Sequence, residues 1–251
     1  MRIDLNADLG EGFGAWRMGD DAALLDIVTS ANVACGFHAG DPDIMAATMN
    51  TAARNGVGIG AHPGFDDLKG FGRRRLSVAY DTLQNQIRYQ VGAAQAMARS
   101  VGEEMRHVKL HGALSNMTSE DHEMALACYE AVLSVAPDTR IMVLAATSQT
   151  AAVEELGCAY VSEIFADRAY NDDATLVDRA LPGAVLHDAA IAAPRIVSMI
   201  KEGAIIAESG KRIETQIDTV CLHGDTKDAV IMAQKIKVHL DNSGIEVRHF
   251  D

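Results

Sequence analysis

Short runs rich in β-branched residues alternate along the chain with longer stretches of helical periodicity. That rhythm predicts strands separated by helices. Seven strands are predicted, over residues 3–8, 31–38, 57–62, 107–111, 140–145, 159–164 and 219–223. Helices are predicted near 20–28 and over 43–55, 78–100, 120–135, 148–156, 189–201 and 227–242. Pro42 suits a first helical turn, Gly56 and Gly157 stand just past helix ends, and Ser119 with His122 and Glu123 behind it suits a helix start. Residues 203–216 read instead as a short hairpin or an excursion from the barrel.

Strands joined through helices lie parallel, in a sheet that is either open or closed. Side-chain alternation separates the two. Asp4, Asn6 and Asp8 share one face of the first strand, and Ile3, Leu5 and Ala7 the other. In the second strand Ala34, Gly36 and His38 oppose Val33, Cys35 and Phe37; in the third Gly58, Gly60 and His62 oppose Val57, Ile59 and Ala61. An open sheet covered on both faces would carry near-continuous apolar strands, whereas one small or polar face suits a crowded barrel interior. The predicted fold is α/β, a distorted seven-stranded parallel (β/α) barrel. Its 251 residues suit one such domain spanning 1–251.

Composition removes several classes of function. The net charge of −13 and the lack of a long Lys/Arg stripe argue against nucleic acid as a partner. The longest apolar run, residues 141–146, is far short of the roughly 20 residues of a membrane helix. Residues 1–12 do not read as a signal peptide. Cys35, Cys128, Cys158 and Cys221 stand singly, as buried thiols of a reducing cytoplasm do. A soluble, cytoplasmic protein is expected.

Four predicted strands finish on histidine with glycine close behind: His38-Ala39-Gly40, His62-Pro63-Gly64, His111-Gly112 and His223-Gly224. One such histidine is most often structural; four at equivalent places mark the C-terminal mouth, where parallel barrels carry their chemistry. Lys109 is two residues from His111 and Asp225 two from His223, so each pair projects from one strand face. Asp8 ends the first strand and Glu11 follows it, and Glu163, Asp167 and Arg168 lie at or beyond the sixth. Of Arg73, Arg74 and Arg75, at least two are expected to be solvated and one to meet a substrate carboxylate. No phosphate-binding loop, dinucleotide fingerprint or serine nucleophile elbow occurs. The residues point to hydrolysis by activated water, with histidines and carboxylates as acid and base and a lysine as electrophilic stabiliser.

Over almost its whole length the chain resembles the LamB/YcsF family, to which the A component of ATP-dependent 5-oxoprolinase belongs. The resemblance rests on Asp4-Leu5-Asn6-Ala7-Asp8-Leu9-Gly10-Glu11, on residues 30–42, on Gly60-Ala61-His62-Pro63-Gly64, on Gly70-Phe71-Gly72-Arg73-Arg74, on Phe165-Ala166-Asp167-Arg168-Ala169-Tyr170 and on His223-Gly224-Asp225. It implies a barrel of the glycoside hydrolase/deacetylase type. It also implies opening of the 5-oxoproline lactam to L-glutamate, coupled to ATP hydrolysis and carried out with separate B and C subunits through which the ATP would be used.

On that basis Asp8, His38, His62, Lys109, His111, His223 and Asp225 are the catalytic candidates, and Asn6, Glu11, Arg73, Glu163, Asp167 and Arg168 the substrate-binding ones. Asp8, His38 and His62 would position or deprotonate water, Lys109 would offset phosphate charge, and His223 with Asp225 would handle the ring nitrogen's proton. No metal is assigned, because an activated intermediate needs less Lewis-acid help; Asp8, His38 and His62 are the ligand set if a divalent ion is present. Leu110 and Ser115 stand where the family usually has proline and tyrosine, which leaves room for another lactam. Two other classes stay open: a metal-dependent carbohydrate deacetylase-like hydrolase, and a binding subunit without chemistry of its own.

Overall fold

The structure is a computed structural model that describes residues 1–222 and 227–250. From the N-terminus the elements run β1 (Arg2–Leu9), α1 (Asp21–Leu25), β2 (Ser30–Ala34), α2 (Pro42–Asn55), β3 (Gly58–His62) and α3 (Tyr80–Ser100). They continue with β4 (His107–Lys109), α4 (Gly112–Glu120), α5 (His122–Val135), β5 (Arg140–Leu144), α6 (Ser148–Leu156) and β6 (Tyr160–Phe165). After α7 (Ala189–Glu202) come β7 (Ala204–Ile206), β8 (Arg212–Glu214), β9 (Thr219–Leu222), α8 (Lys227–Asn242) and β10 (Glu246–Val247). β1 to β6 and β9 pair in parallel, and β9 pairs back onto β1, so the seven-stranded barrel is closed. β7 and β8 form an antiparallel hairpin, the first of the two forms expected for this stretch. β10, two residues long and too short to leave a pattern in the sequence, adds to the start of β1.

Local chemistry explains the boundaries. Asp41 caps α2 by accepting from the amides of Asp43 and Ile44, with Pro42 in the first turn and left-handed Gly56 at the end. Three expectations are corrected. Residues 112–135 form two helices where the sequence predicted one over 120–135. Asp121 makes the break: its carboxylate caps α5 by accepting from Met124 N. Ser119, expected to be the cap, is buried and donates back to the Asn116 carbonyl. The second strand also stops at Ala34, because Gly36 and Gly40 take positive φ and turn the chain outward. His38 therefore sits on a loop above the sheet.

Inside the barrel the predicted polar face packs as a hydrogen-bonded ladder where many barrels stack aliphatic layers. Thr219 Oγ1 donates to Asp4, and Asn6 Nδ2 donates to Thr219 Oγ1 at 2.8 Å. Asn32 Nδ2 donates to Asn6 Oδ1 at 2.7 Å, and His107 Nε2 donates to Asn32 Oδ1 at 2.7 Å. Gly60 is what admits the His107 ring, since a Cβ there would lie 2.2 Å from His107 Nε2. Burial, helped by the nearby Lys109 charge, pushes the His107 imidazole down to about 3 from an ordinary 6.5. The unfolded chain then binds a proton near pH 6.5 that the folded chain refuses until about pH 3, so stability is lost as pH falls through that window. His107→Gln keeps a donor for Asn32 and removes the titrating ring. Urea unfolding at a series of pH values is expected to show a shallower acid loss for the variant. Parallel pH curves for the two proteins would exclude His107 as the cause.

Among the described residues, no helix is long and apolar enough to cross a membrane.

Candidate active site

The C-terminal ends of the strands open onto a cavity of about 720 Å³ lined in part by Asp8, His62, Lys109, His111, Arg73 and Arg168. Asp8 stands near the end of β1, His62 is the last residue of β3, and Lys109 is the last of β4. His111 occupies the cap position of α4. Each side chain is set by a strand end or a helix start, which is the least mobile backbone a mouth can offer.

Lys109 is buried, and its ammonium is surrounded. Nζ lies 2.7 Å from Glu163 Oε1, 3.1 Å from Asp8 Oδ1, 3.3 Å from Asn6 Oδ1 and 3.2 Å from Cys221 Sγ. Burial works against its charge, but the Asp8 and Glu163 carboxylates outweigh it and hold the ammonium well above the ordinary lysine value. Lys109 is thus a fixed positive charge. Asp8 is held from two sides, since Asn32 Nδ2 also donates to its Oδ1 at 2.9 Å.

The imidazole tautomers follow from their carbonyl partners. His62 Nδ1 is 2.8 Å from the Lys109 carbonyl oxygen, and His111 Nε2 is 2.9 Å from the Phe71 carbonyl oxygen. A carbonyl only accepts, so both of those nitrogens carry hydrogen. When the rings are neutral, their lone pairs are on His62 Nε2 and His111 Nδ1, and these face each other at 3.1 Å. His62 Nε2 is 3.2 Å from Asp8 Oδ2, and His111 Nδ1 is 3.7 Å from Glu11 Oε1. Burial, reinforced by Asp8, raises the Glu11 carboxyl above its ordinary value.

The structure sorts the predicted residues. Asp8, Glu11, His62 and His111 converge, with ligand atoms all within 4.8 Å of one another. His38 is fully buried and stacks face to face on His111, with centroids 3.7 Å apart. It backs His111, so the carboxylate and imidazole cluster contains Glu11 and His111 where the sequence placed His38. Asn6 and Glu163 are buried and hold Lys109. Arg73 reaches the cavity, with its guanidinium 5.0 Å from the Phe71 ring centre, while Arg74 pairs with Asp67 and Arg75 with Glu120. Arg168 is buried, its Nη2 donating to the Val177 carbonyl at 2.6 Å and its Nε to that of Ala184 at 3.3 Å. It thereby ties down the loop that forms one wall. Asp167 precedes it, and its main-chain carbonyl accepts from Leu186 N. His223 and Asp225 lie outside the described residues.

Sequence reasoning missed Phe71, whose backbone at φ 54° is left-handed although it carries a side chain. That turn aims its carbonyl at His111. It also missed Asn32, a polar residue in a strand of small and apolar ones, which alternation could have flagged as inward-facing.

The sequence profile of the LamB/YcsF family matches residues 3–251. The 5-oxoprolinase A component of Ruegeria pomeroyi is 63% identical over 250 residues, covering 100% of this chain and 99% of that protein. That of Rhodopseudomonas palustris is 52% identical over 251 residues, with 100% and 99% covered. The crystal structure of the lactam utilization protein from Thermus thermophilus superposes with a TM-score of 0.93 at 38% identity, covering 100% of both chains.

Proposed function

This chain belongs to the LamB/YcsF family, and from that premise we propose that it is the hydrolytic A component of an ATP-dependent 5-oxoprolinase, opening 5-oxoproline to L-glutamate. The observation that carries the reading is the convergence of Asp8, Glu11, His62 and His111 on one point beside the charged Lys109. The names of its full-length relatives support the substrate.

A lactam is a stabilised amide, and water attacks it slowly until its oxygen is made a better partner for negative charge. The partner B and C subunits would use ATP to place a phosphoryl group on that oxygen. Water held in the cavity beside Asp8 then adds to the ring carbon, and its proton passes to a carboxylate oxygen there. The ring C–N bond breaks, the nitrogen takes a proton, and an acyl phosphate remains. A second water converts it to glutamate and phosphate, so one lactam, one ATP and two waters give glutamate, ADP and phosphate. Lys109, 3.1 Å from Asp8, offsets charge developing on the oxygens. Arg73, on the cavity wall, suits the substrate carboxylate. The use of ATP and the four free thiols fit a cytoplasmic setting.

The sequence lacks a phosphate-binding loop, so the isolated chain is expected to show negligible 5-oxoprolinase and ATPase activity. Addition of B and C should restore glutamate formation. ATP-driven turnover by the purified chain alone would refute the division of labour.

A further inference from the structure

We propose that Asp8, Glu11, His62 and His111 bind one divalent transition-metal ion, with His62 Nε2 and His111 Nδ1 as its nitrogen ligands. The inference concerns the cluster itself and is independent of which lactam the cavity accepts.

The first support is the pair of facing lone pairs. Both outer nitrogens are committed to main-chain carbonyls, so two neutral imidazoles would confront each other at 3.1 Å with no hydrogen between them. Something positive belongs there. Two nitrogens bound to one ion at about 2.0–2.1 Å stand roughly 2.9–3.4 Å apart for ordinary coordination angles, and the observed separation falls inside that range. Metal-bound histidines characteristically donate their other ring N–H to a carbonyl or carboxylate, which both rings do here.

The carboxylates separate a metal from a shared proton. A proton on His62 Nε2 would serve His111 Nδ1 and Asp8 Oδ2, at 3.1 and 3.2 Å, and leave Glu11 out. Glu11 Oε1, at 3.7 Å from His111 Nδ1 and 3.8 Å from His38 Nε2, lies beyond hydrogen-bond range of both and would gain nothing. A cation at the centre serves all four groups. Charge points the same way, because the carboxylates of Asp8 and Glu11 both stand at the convergence point, while the buried Lys109 ammonium is shared between Asp8 and Glu163. Behind the cluster, fully buried His38 has neither ring nitrogen hydrogen-bonded among the described residues, and its Nε2 is directed at Glu11. Its ring fixes the plane of His111 through their stack. Two imidazoles with two carboxylates form a mixed nitrogen and oxygen set that suits Zn²⁺, Co²⁺ or Mn²⁺ better than Ca²⁺.

The test uses the full chain without lactam, ATP or partners, so its outcome is separate from that of the 5-oxoprolinase reading. After treatment with chelator and desalting, the chain is titrated with Co²⁺ by calorimetry and visible absorption, and its thermal midpoint is measured with and without Zn²⁺. One ion per chain, a d–d band and a raised midpoint are expected. Glu11→Gln, which keeps the side chain's size and removes its charge, and His111→Gln should each weaken Co²⁺ binding at least about tenfold. Absence of binding by Co²⁺, Zn²⁺ and Mn²⁺, or binding that Glu11→Gln and His111→Gln both leave unaltered, would overturn the proposal.

Discussion

Lys109→Met is expected to lower turnover of the reconstituted complex by roughly a hundredfold or more, the size of effect seen when a preorganised electrostatic stabiliser is lost. Methionine matches the length of the lysine stem and removes the charge. In sequence, Lys109 is only a group at a strand end, whose loss should leave the thermal midpoint little changed. Its burial alters that expectation. The ammonium lies 2.7 Å from Glu163 and 3.1 Å from Asp8, and removing one partner of a buried ion pair costs about 3–5 kcal/mol because the other charge is stranded. The variant should therefore also unfold at lower urea concentration. Adding Glu163→Gln removes a stranded carboxylate and should recover part of the stability with none of the turnover. Recovery of turnover in the double variant would mean that Lys109 acts only through the fold.

Asp8→Asn is expected to have the larger effect on catalysis, roughly 10²–10⁴-fold in kcat, the range for loss of a positioned acid–base group. The carboxylate accepts from Asn32 Nδ2 and Lys109 Nζ on Oδ1, and its Oδ2 faces His62 Nε2 at 3.2 Å. Asparagine keeps the shape, but it cannot take a proton and must point an NH₂ group at one of these neighbours. Asp8 touches the reacting water in the proposed scheme and does not grip the lactam carboxylate, so KM for 5-oxoproline should change little. A rise in KM at unchanged kcat would move Asp8 to substrate binding and favour a chain that captures substrate without transforming it.

The sequence made the barrel legible because one inward face is polar. Asp4, Asn6 and Asp8 on β1 and Lys109 on β4 could be assigned inward from alternation alone, and the structure joins Asn6, Asp8 and Lys109 to Glu163 of β6. The histidines that close four of the predicted strands are likewise visible as a pattern. The ranking among those histidines is not. His38 and His111 are equivalent in the motif, but Gly36 turns the chain out before His38, which becomes the ring stacked behind His111. Hydrogen direction is also absent from sequence. That His62 and His111 turn their lone pairs toward each other depends on two carbonyls, one presented by the left-handed backbone of Phe71. The helix before Asp121 leaves little trace in the sequence because Gly112, Ser115, Asn116, Thr118 and Ser119 are weak helix formers.

The site of lactam opening is tested most directly by glutamate release from 5-oxoproline and ATP. Partner subunits would be assayed alone, with the wild-type chain, and with a chain carrying Asp8→Asn and His62→Ala. Opening at this barrel mouth requires glutamate from the wild-type mixture and almost none from the other two. Undiminished glutamate release from the partners alone, or from the mixture with the doubly substituted chain, would contradict it.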